Sequence, residues 1–111
     1  MAYRVERVEK IIEREIGNIL LTEVKDQRLR YVTITNVRLT GDLSIATVYY
    51  TIIGDPDQIA STRENLEDAK GYIRSLLSKK LDLRKTPELK FKYDESLAYG
   101  NKIEEILKNI K

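Results

Sequence analysis

The sequence predicts a single α+β domain, spanning residues 1–111, in which helices cover one face of a three-stranded sheet. Three observations predict this class. Apolar residues recur at helical spacing near the start, a long β-branched and aromatic stretch follows, and a short alternating stretch lies near the end. A chain of 111 residues is long enough to bury one core.

The first helix is predicted from about residue 3 to residue 24. Its apolar residues lie three and four positions apart, so they share one face, and Gly17 weakens the helix without ending it. These residues are predicted to be core: Val5, Val8, Ile12, Ile16, Ile19 and Leu20.

A long antiparallel hairpin is predicted from the stretch YVTITNVRLTGDLSIATVYYTIIG. Thr40-Gly41-Asp42 supplies the turn, and Ala46, Val48, Tyr50 and Ile52 are predicted to share one face of the second strand. The first strand changes parity between Ile34 and Val37, which indicates a bulge near Thr35–Asn36.

Two helices joined by a kink are predicted next. Asp55 is placed as the N-cap, Pro56 at the first helical position and Gln58 where a capping box requires it. The first of these helices is expected to run to about Ala69 and the second from about Gly71 to Leu81. Glycine inside a helical pattern costs about 1 kcal/mol relative to alanine, so Ala69 and Gly71 are predicted to form the kink.

The remaining elements are a strand and a last helix. Arg84-Lys85-Thr86-Pro87 is predicted to turn, and ELKFKYD alternates with its apolar side chains inward and its charged ones outward. Ser96 is predicted to open a helix with Ile103, Ile106, Leu107 and Ile110 on one face. The predicted order is therefore α-β-β-α-(kink)-α-β-α.

The composition excludes several kinds of chemistry. The chain contains no cysteine and no histidine, which removes disulfides, thiolate and imidazole catalysis and Cys/His metal sites. Asp94 and Glu95 are adjacent carboxylates, but they suit the first turn of the last helix, and no acidic spacing suggests a metal cluster. We therefore expect no catalytic residue, no metal and no cofactor. No apolar run reaches membrane-spanning length, so the expected location is the cytoplasm.

The charge is unevenly distributed. The formal net charge is +2, yet the stretch from Lys70 to Lys92 carries +6 and the remainder −4. This asymmetry is typical of a polyanion binder, although a solvated lysine-rich surface explains it equally well.

These elements and motifs resemble those of the ribosome-binding factor A family. The α-β-β-α-α-β order resembles a KH domain of the second topological type, but Ala69-Lys70-Gly71 stands where KH modules carry a GXXG loop. Further similarity covers nearly the whole chain: Arg4 to Val8, Lys25 to Leu29 with Gln27 where proline is usual, Val32 to Thr35, Asp42-Leu43, Ala46 to Tyr49, Leu66, Tyr72 to Arg74, Leu83 to Leu89, Phe91 and Tyr93 to Leu97.

The resemblance implies a KH-like, non-enzymatic bacterial cytoplasmic protein that binds the immature small ribosomal subunit. Such a protein would assist late maturation of small-subunit rRNA, including processing of its 5′ end. The resemblance further implies a monomer with no membrane attachment, removal from the subunit by an assembly GTPase, and a part in growth in the cold. Three other functions stay open: a general KH-type single-stranded RNA-binding module, a protein–protein module using the open sheet face, and, most remotely, a nuclease.

The predicted rRNA contacts cluster around the second helix of the kinked pair. Its apolar residues turn inward, so its polar side chains are expected to face solvent and to suit phosphate and ribose better than base edges. Several basic residues have a structural alternative: a local ion pair for Arg28, a solvated helix face for Arg4 and Arg7, and a favourable helix C-terminus for Arg84 and Lys85. The predicted contacts are Lys70, Gly71, Arg74, Ser75, Ser78, Lys79, Arg84, Lys85 and Arg28.

Overall fold

A computed structural model describes residues 2–24, 29, 31–81 and 83–94. The predicted order of helices and strands is confirmed across these residues, while the predicted last helix, from Ser96 onward, lies outside them. The elements are α1 (Ala2–Thr22), β1 (Val32–Leu39), β2 (Ile45–Ile52), α2 (Pro56–Asp68), α3 (Lys70–Lys80) and β3 (Glu88–Tyr93).

Helix α1 buries the apolar stripe that its sequence predicts. Ile12, Ile16 and Ile19 are fully buried, and the helix continues through Gly17 without interruption. The stripe packs against β1 and α3. Burying a large aliphatic side chain stabilises a fold by about 1.5–3 kcal/mol, so α1 is a principal source of core energy.

The hairpin between β1 and β2 is antiparallel and contains the predicted bulge. The register shifts between Ile34 and Asn36. In the connecting loop, the N–H of Leu43 donates to the carbonyl of Thr40 at 2.9 Å. The left-handed residue of this loop is Leu43, with φ of 64°, and its side chain packs half-buried against the core.

Strand β2 lies in the centre of a mixed sheet, with β1 antiparallel on one side and β3 parallel on the other. The parallel register pairs Ile45 with Glu88 and Tyr50 with Tyr93. The helices pack on one face of this sheet, whose side chains include Val48, Tyr50 and Leu89. The other face, hereafter the outer face, carries exposed polar residues: Thr33, Arg38, Lys90 and Lys92.

A complete capping box starts α2, as predicted. The Asp55 carboxylate accepts from the N–H of Gln58 at 2.8 Å, and the Gln58 side chain accepts from the N–H of Asp55 at 2.9 Å. Gly54 precedes this cap with φ of 156°, a region that suits glycine. A Cβ at position 54 would lie 2.7 Å from Oε1 of Gln58, so the glycine also makes room for the cap.

Helices α2 and α3 complete the core. Leu66, Ile73 and Leu77 are fully buried, so each helix contributes one short apolar stripe. At the sheet, the ring of Tyr50 makes edge contacts with Phe91 and Tyr93, with centroids 6.2 and 5.6 Å apart. None of the three described helices combines the length and apolar character that a bilayer span requires.

Candidate nucleic-acid interface

The two helices of the predicted interface meet at Ala69 with no loop between them. Ala69 has φ of −85° and ψ of −3°, and its N–H donates to the backbone carbonyls of Asn65 and Glu67. The carbonyl of Ala69 in turn accepts from the N–H of Ile73 at 2.9 Å. The bend is therefore made by a right-handed conformation that alanine adopts readily.

The kink was predicted at Ala69 and Gly71 together, and of these two residues only Ala69 lies at the junction. Gly71 is the second residue of α3 and does not have a positive φ. A Cβ placed there would meet nothing within 4 Å. The backbone does not need glycine at this position, and what glycine provides instead is an uncovered stretch of helix surface.

Lys70 lies at the start of α3 and is ion-paired. Its Nζ is 2.8 Å from Oε1 of Glu67, one turn earlier on α2. Because a partly exposed pair of this kind contributes at most about 1 kcal/mol, a phosphate could displace the carboxylate. Lys70 therefore belongs to the surface, but part of its charge is already neutralised.

Helical periodicity predicts that Arg74 points into solvent. In the structure its side chain instead contacts the backbone before β3. Its Nε donates to the carbonyl of Pro87 at 3.1 Å, and its Nη2 donates to the carbonyl of Thr86 at 2.8 Å. The guanidinium is half-buried and ties α3 to the segment that leads into β3. An acidic residue at position 74 would leave these two carbonyls without their donor.

The polar face of α3 consists of Ser75, Ser78 and Lys79, all exposed as predicted. The hydroxyl of Ser78 donates to the backbone carbonyl of Ser75 at 2.6 Å, so its proton is already engaged. Lys79 forms no ion pair within the described residues. Of these three side chains, Lys79 is thus the one with a charge available to a ligand.

The turn after α3 contributes two exposed cations, Arg84 and Lys85. Lys85 lines a hollow of about 470 Å³ together with Arg74, Glu88 and Ser44, the last residue of the hairpin loop. The hollow forms because the N–H of Glu88 donates to the carbonyl of Ser44 at 2.9 Å, which closes the hairpin loop against this turn. Arg28 lies outside the described residues.

Sequence reasoning missed Ser44, and no local signal could have found it. Ser44 reaches the basic turn through the parallel pairing of β2 with β3, which is a long-range feature. The neighbouring Asp42 accepts hydrogen bonds at 2.7 Å from the hydroxyls of Ser44 and Thr40. These bonds, that of Ser44 first, hold the pKa of the Asp42 carboxyl below its usual value.

The exposed groups of this surface are of the kinds that suit an anionic ligand. In the part of the chain that the structure describes, no three acidic side chains lie close enough to hold a metal ion. What the surface offers is exposed cations, hydroxyls and an uncovered helix start. Such groups contact phosphate and ribose without reading bases.

An α+β domain with a KH-like layout and a basic face beside its helical kink defines a class of nucleic-acid-binding protein. The sequence matches the family model of ribosome-binding factor A over residues 4–107. It is 50% identical over 110 residues to ribosome-binding factor A of Staphylococcus saprophyticus, covering 99% of this chain and 96% of that protein. The chain therefore belongs to the ribosome-binding factor A family.

Solved structures support the same fold. A solution structure of a putative ribosome-binding factor A from Thermotoga maritima has a TM-score of 0.70 and 34% identity, covering 83% of this chain and 88% of that one. The crystal structure of the Thermus thermophilus factor has a TM-score of 0.70 at 22% identity, covering 80% and 93%. A homology model of that factor, fitted into a map of its complex with the 30S subunit, has a TM-score of 0.67 at 22% identity and the same coverage.

Proposed function

We propose that this chain binds the immature small ribosomal subunit and assists late maturation of small-subunit rRNA, including processing of its 5′ end. It does so by binding alone and catalyses no reaction. The observation that carries the proposal is a set of exposed cations, Lys79, Arg84 and Lys85, which form no ion pair within the described residues of a ribosome-binding factor A family member. One relative, from Thermus thermophilus, is described in complex with the 30S subunit.

Each residue has a distinct part in the proposed contact. Lys79, Arg84 and Lys85 neutralise backbone phosphates, and Ser75 offers a hydroxyl to phosphate or ribose. Gly71 lets the RNA backbone approach the start of α3, because it has no side chain and the space where a Cβ would lie is open. Arg74 supports the site by fixing the turn that carries Lys85, and it adds positive charge to the same hollow.

Three residues of the predicted interface have secondary parts. Lys70 adds a contact once its pair with Glu67 opens. The hydroxyl of Ser78 already donates to the carbonyl of Ser75, so toward RNA it can only accept a hydrogen bond. Arg28 stays a predicted contact.

The proposal extends to the setting in which the chain works. We propose a cytoplasmic monomer that uses no cofactor and leaves the subunit with the help of an assembly GTPase. These statements rest on family membership and on the absence of cysteine and histidine from the sequence.

Co-sedimentation with purified small ribosomal subunits tests the proposal. Lys79→Gln combined with Lys85→Gln should weaken binding and make the logarithmic salt dependence shallower by roughly 1.4 to 1.8, since each phosphate contact contributes roughly 0.7 to 0.9. The matched control removes two cations from the outer face, Arg38→Gln with Lys90→Gln, and should bind like the parent.

Two results would contradict the proposal. Failure of the parent chain to sediment with small subunits would remove the function itself. Preferential, sequence-selective binding to short unstructured RNA would favour the alternative, a general single-stranded RNA-binding module.

A further inference from the structure

A second basic concavity lies between α1 and the end of α3, away from the kink. Arg4, Arg7 and Arg14 lie along one face of α1, and Lys80 approaches from the last turn of α3. They line a groove of about 370 Å³ with an apolar floor that includes Leu83. We call it the α1 groove. From Arg4 to Arg14 it follows α1 for about 15 Å at the usual helical rise.

The α1 groove is strongly positive. Among the described residues that line it, four are cations and one, Glu15, is a carboxylate, which lies 4.0 Å from Nζ of Lys80 and 3.5 Å from Nη2 of Arg14. Glu15 therefore offsets part of the charge at one end. At the other end, Arg4 and Arg7 are exposed and form no ion pair with any residue that the structure describes.

The position of Arg4 in the first turn of α1 is unfavourable for helix stability. The N-terminal end of a helix carries partial positive charge and is stabilised by acidic side chains in the first turn. The first turn of α1 has no acidic residue and carries Arg4, while the second turn carries Arg7 together with Glu6. A solvated face selected for stability would have the opposite pattern. An anion bound in the groove would interact favourably with the arginines and with the helix end together.

We propose that the α1 groove binds a second stretch of RNA phosphate backbone, an inference that rests on the proposed rRNA-binding function. RNA is the occupant that the charges favour, because Lys80 of the groove directly follows Lys79 of the kink-side surface. One polyanionic strand can thus pass from the first surface to the second around the end of α3. The apolar floor gives the ribose rings a surface to pack on, while the arginines contact phosphates.

Arg7→Gln with Arg14→Gln tests this inference in the full chain. Both side chains are exposed, and the Arg14–Glu15 ion pair that is lost contributes little, so thermal unfolding should be nearly unchanged. Binding to purified small ribosomal subunits should weaken about tenfold near physiological salt, and the salt slope should fall by roughly 1.4 to 1.8. Combined with Lys79→Gln and Lys85→Gln, the losses should multiply, because the two pairs contact different phosphates.

The possible results distinguish a failure of the groove inference from a failure of the proposed rRNA-binding function. If the parent binds subunits and the Arg7/Arg14 variant matches it in affinity and salt slope, the groove inference is wrong and the rRNA-binding function stands. If Arg38→Gln with Lys90→Gln weakens binding as much, the attraction is due to overall charge and the groove is not a site. If the parent binds poly-glutamate more tightly than an RNA of equal charge, and the Arg7/Arg14 variant loses that preference, the groove prefers acidic polypeptides and the RNA assignment is overturned.

Discussion

Replacing Arg74 with methionine should destabilise the fold, even though Arg74 sits on the polar side of α3. Methionine keeps most of the apolar stem but removes the two donors that reach the carbonyls of Thr86 and Pro87. Hydrogen bonds to charged groups contribute about 1.5–3 kcal/mol each when buried. Because Arg74 is half-buried, we take the lower end and expect a loss of about 3 kcal/mol for the two bonds together.

Thermal unfolding followed by circular dichroism measures this loss. For a domain of this size, 1 kcal/mol corresponds to about 4 °C, so Arg74→Met should unfold about 12 °C below the parent. Arg74→Lys should recover less than half of the difference, because one ammonium group cannot serve two carbonyls in the fork geometry of a guanidinium. Lys79→Met on the same helix is the matched control and should leave the midpoint within about 2 °C. A midpoint for Arg74→Met equal to that of this control would refute the anchoring role.

Three further predictions concern two glycines and the hairpin loop. Gly71→Ala should raise stability by about 0.5–1 kcal/mol, because the position is helical and open, and it should weaken subunit binding if RNA approaches there. Gly54→Ala should instead lower stability by about 1–2 kcal/mol, because alanine is strained at this φ and its Cβ would collide with Gln58. If Gly54→Ala melts at a higher temperature than Gly71→Ala, both accounts are wrong. The pKa of Asp42 is lower in the folded chain than the ordinary 3.8, so its stabilising contribution is present above that value and is lost as pH falls through the folded pKa. Asp42→Asn should therefore make the melting temperature fall less steeply below about pH 4. If the melting temperature of this variant falls as steeply as that of the parent, the bonds of Asp42 with Ser44 and Thr40 contribute nothing to stability.

Features with a local physical cause were predictable from the sequence. The stripe of α1 follows from apolar spacing, and the capping box at Asp55 follows from the chemistry of one turn. The bulge near Asn36 follows from a change in parity between two buried residues. In each case the residues that determine the feature lie within a few positions of one another.

The kink was predicted at Ala69 and Gly71, and in the structure the junction lies at Ala69. Glycine in a helical pattern is a reasonable marker of a bend, because it is the residue least restricted by sterics. The junction at Ala69 needs only a small change in ψ within the right-handed region, which alanine tolerates. The glycine signal therefore reports an open surface two residues further on.

The site was harder to predict because its geometry is long-range. Periodicity correctly puts Arg74 on the polar side of α3, but it cannot show that the turn before β3 passes beneath that side chain. The same limit applies to Ser44, which joins Lys85 through the pairing of β2 with β3. The residues of the α1 groove come from two segments that are distant in the sequence. Their cations therefore looked like separate solvated residues.

The parallel pairing of β2 with β3 also determines when the domain can be completed during synthesis. The hairpin can form within microseconds of its emergence, yet the partner of the free edge of β2 follows only after α2 and α3 have been made. At about 5–20 residues per second, that edge stays unpaired for several seconds. Until β3 arrives, the nascent chain exposes a strand edge that can pair with other chains. The turn that carries Lys85 also has no fixed position until then, so a chain interrupted before Tyr93 should be both prone to aggregation and unable to bind RNA.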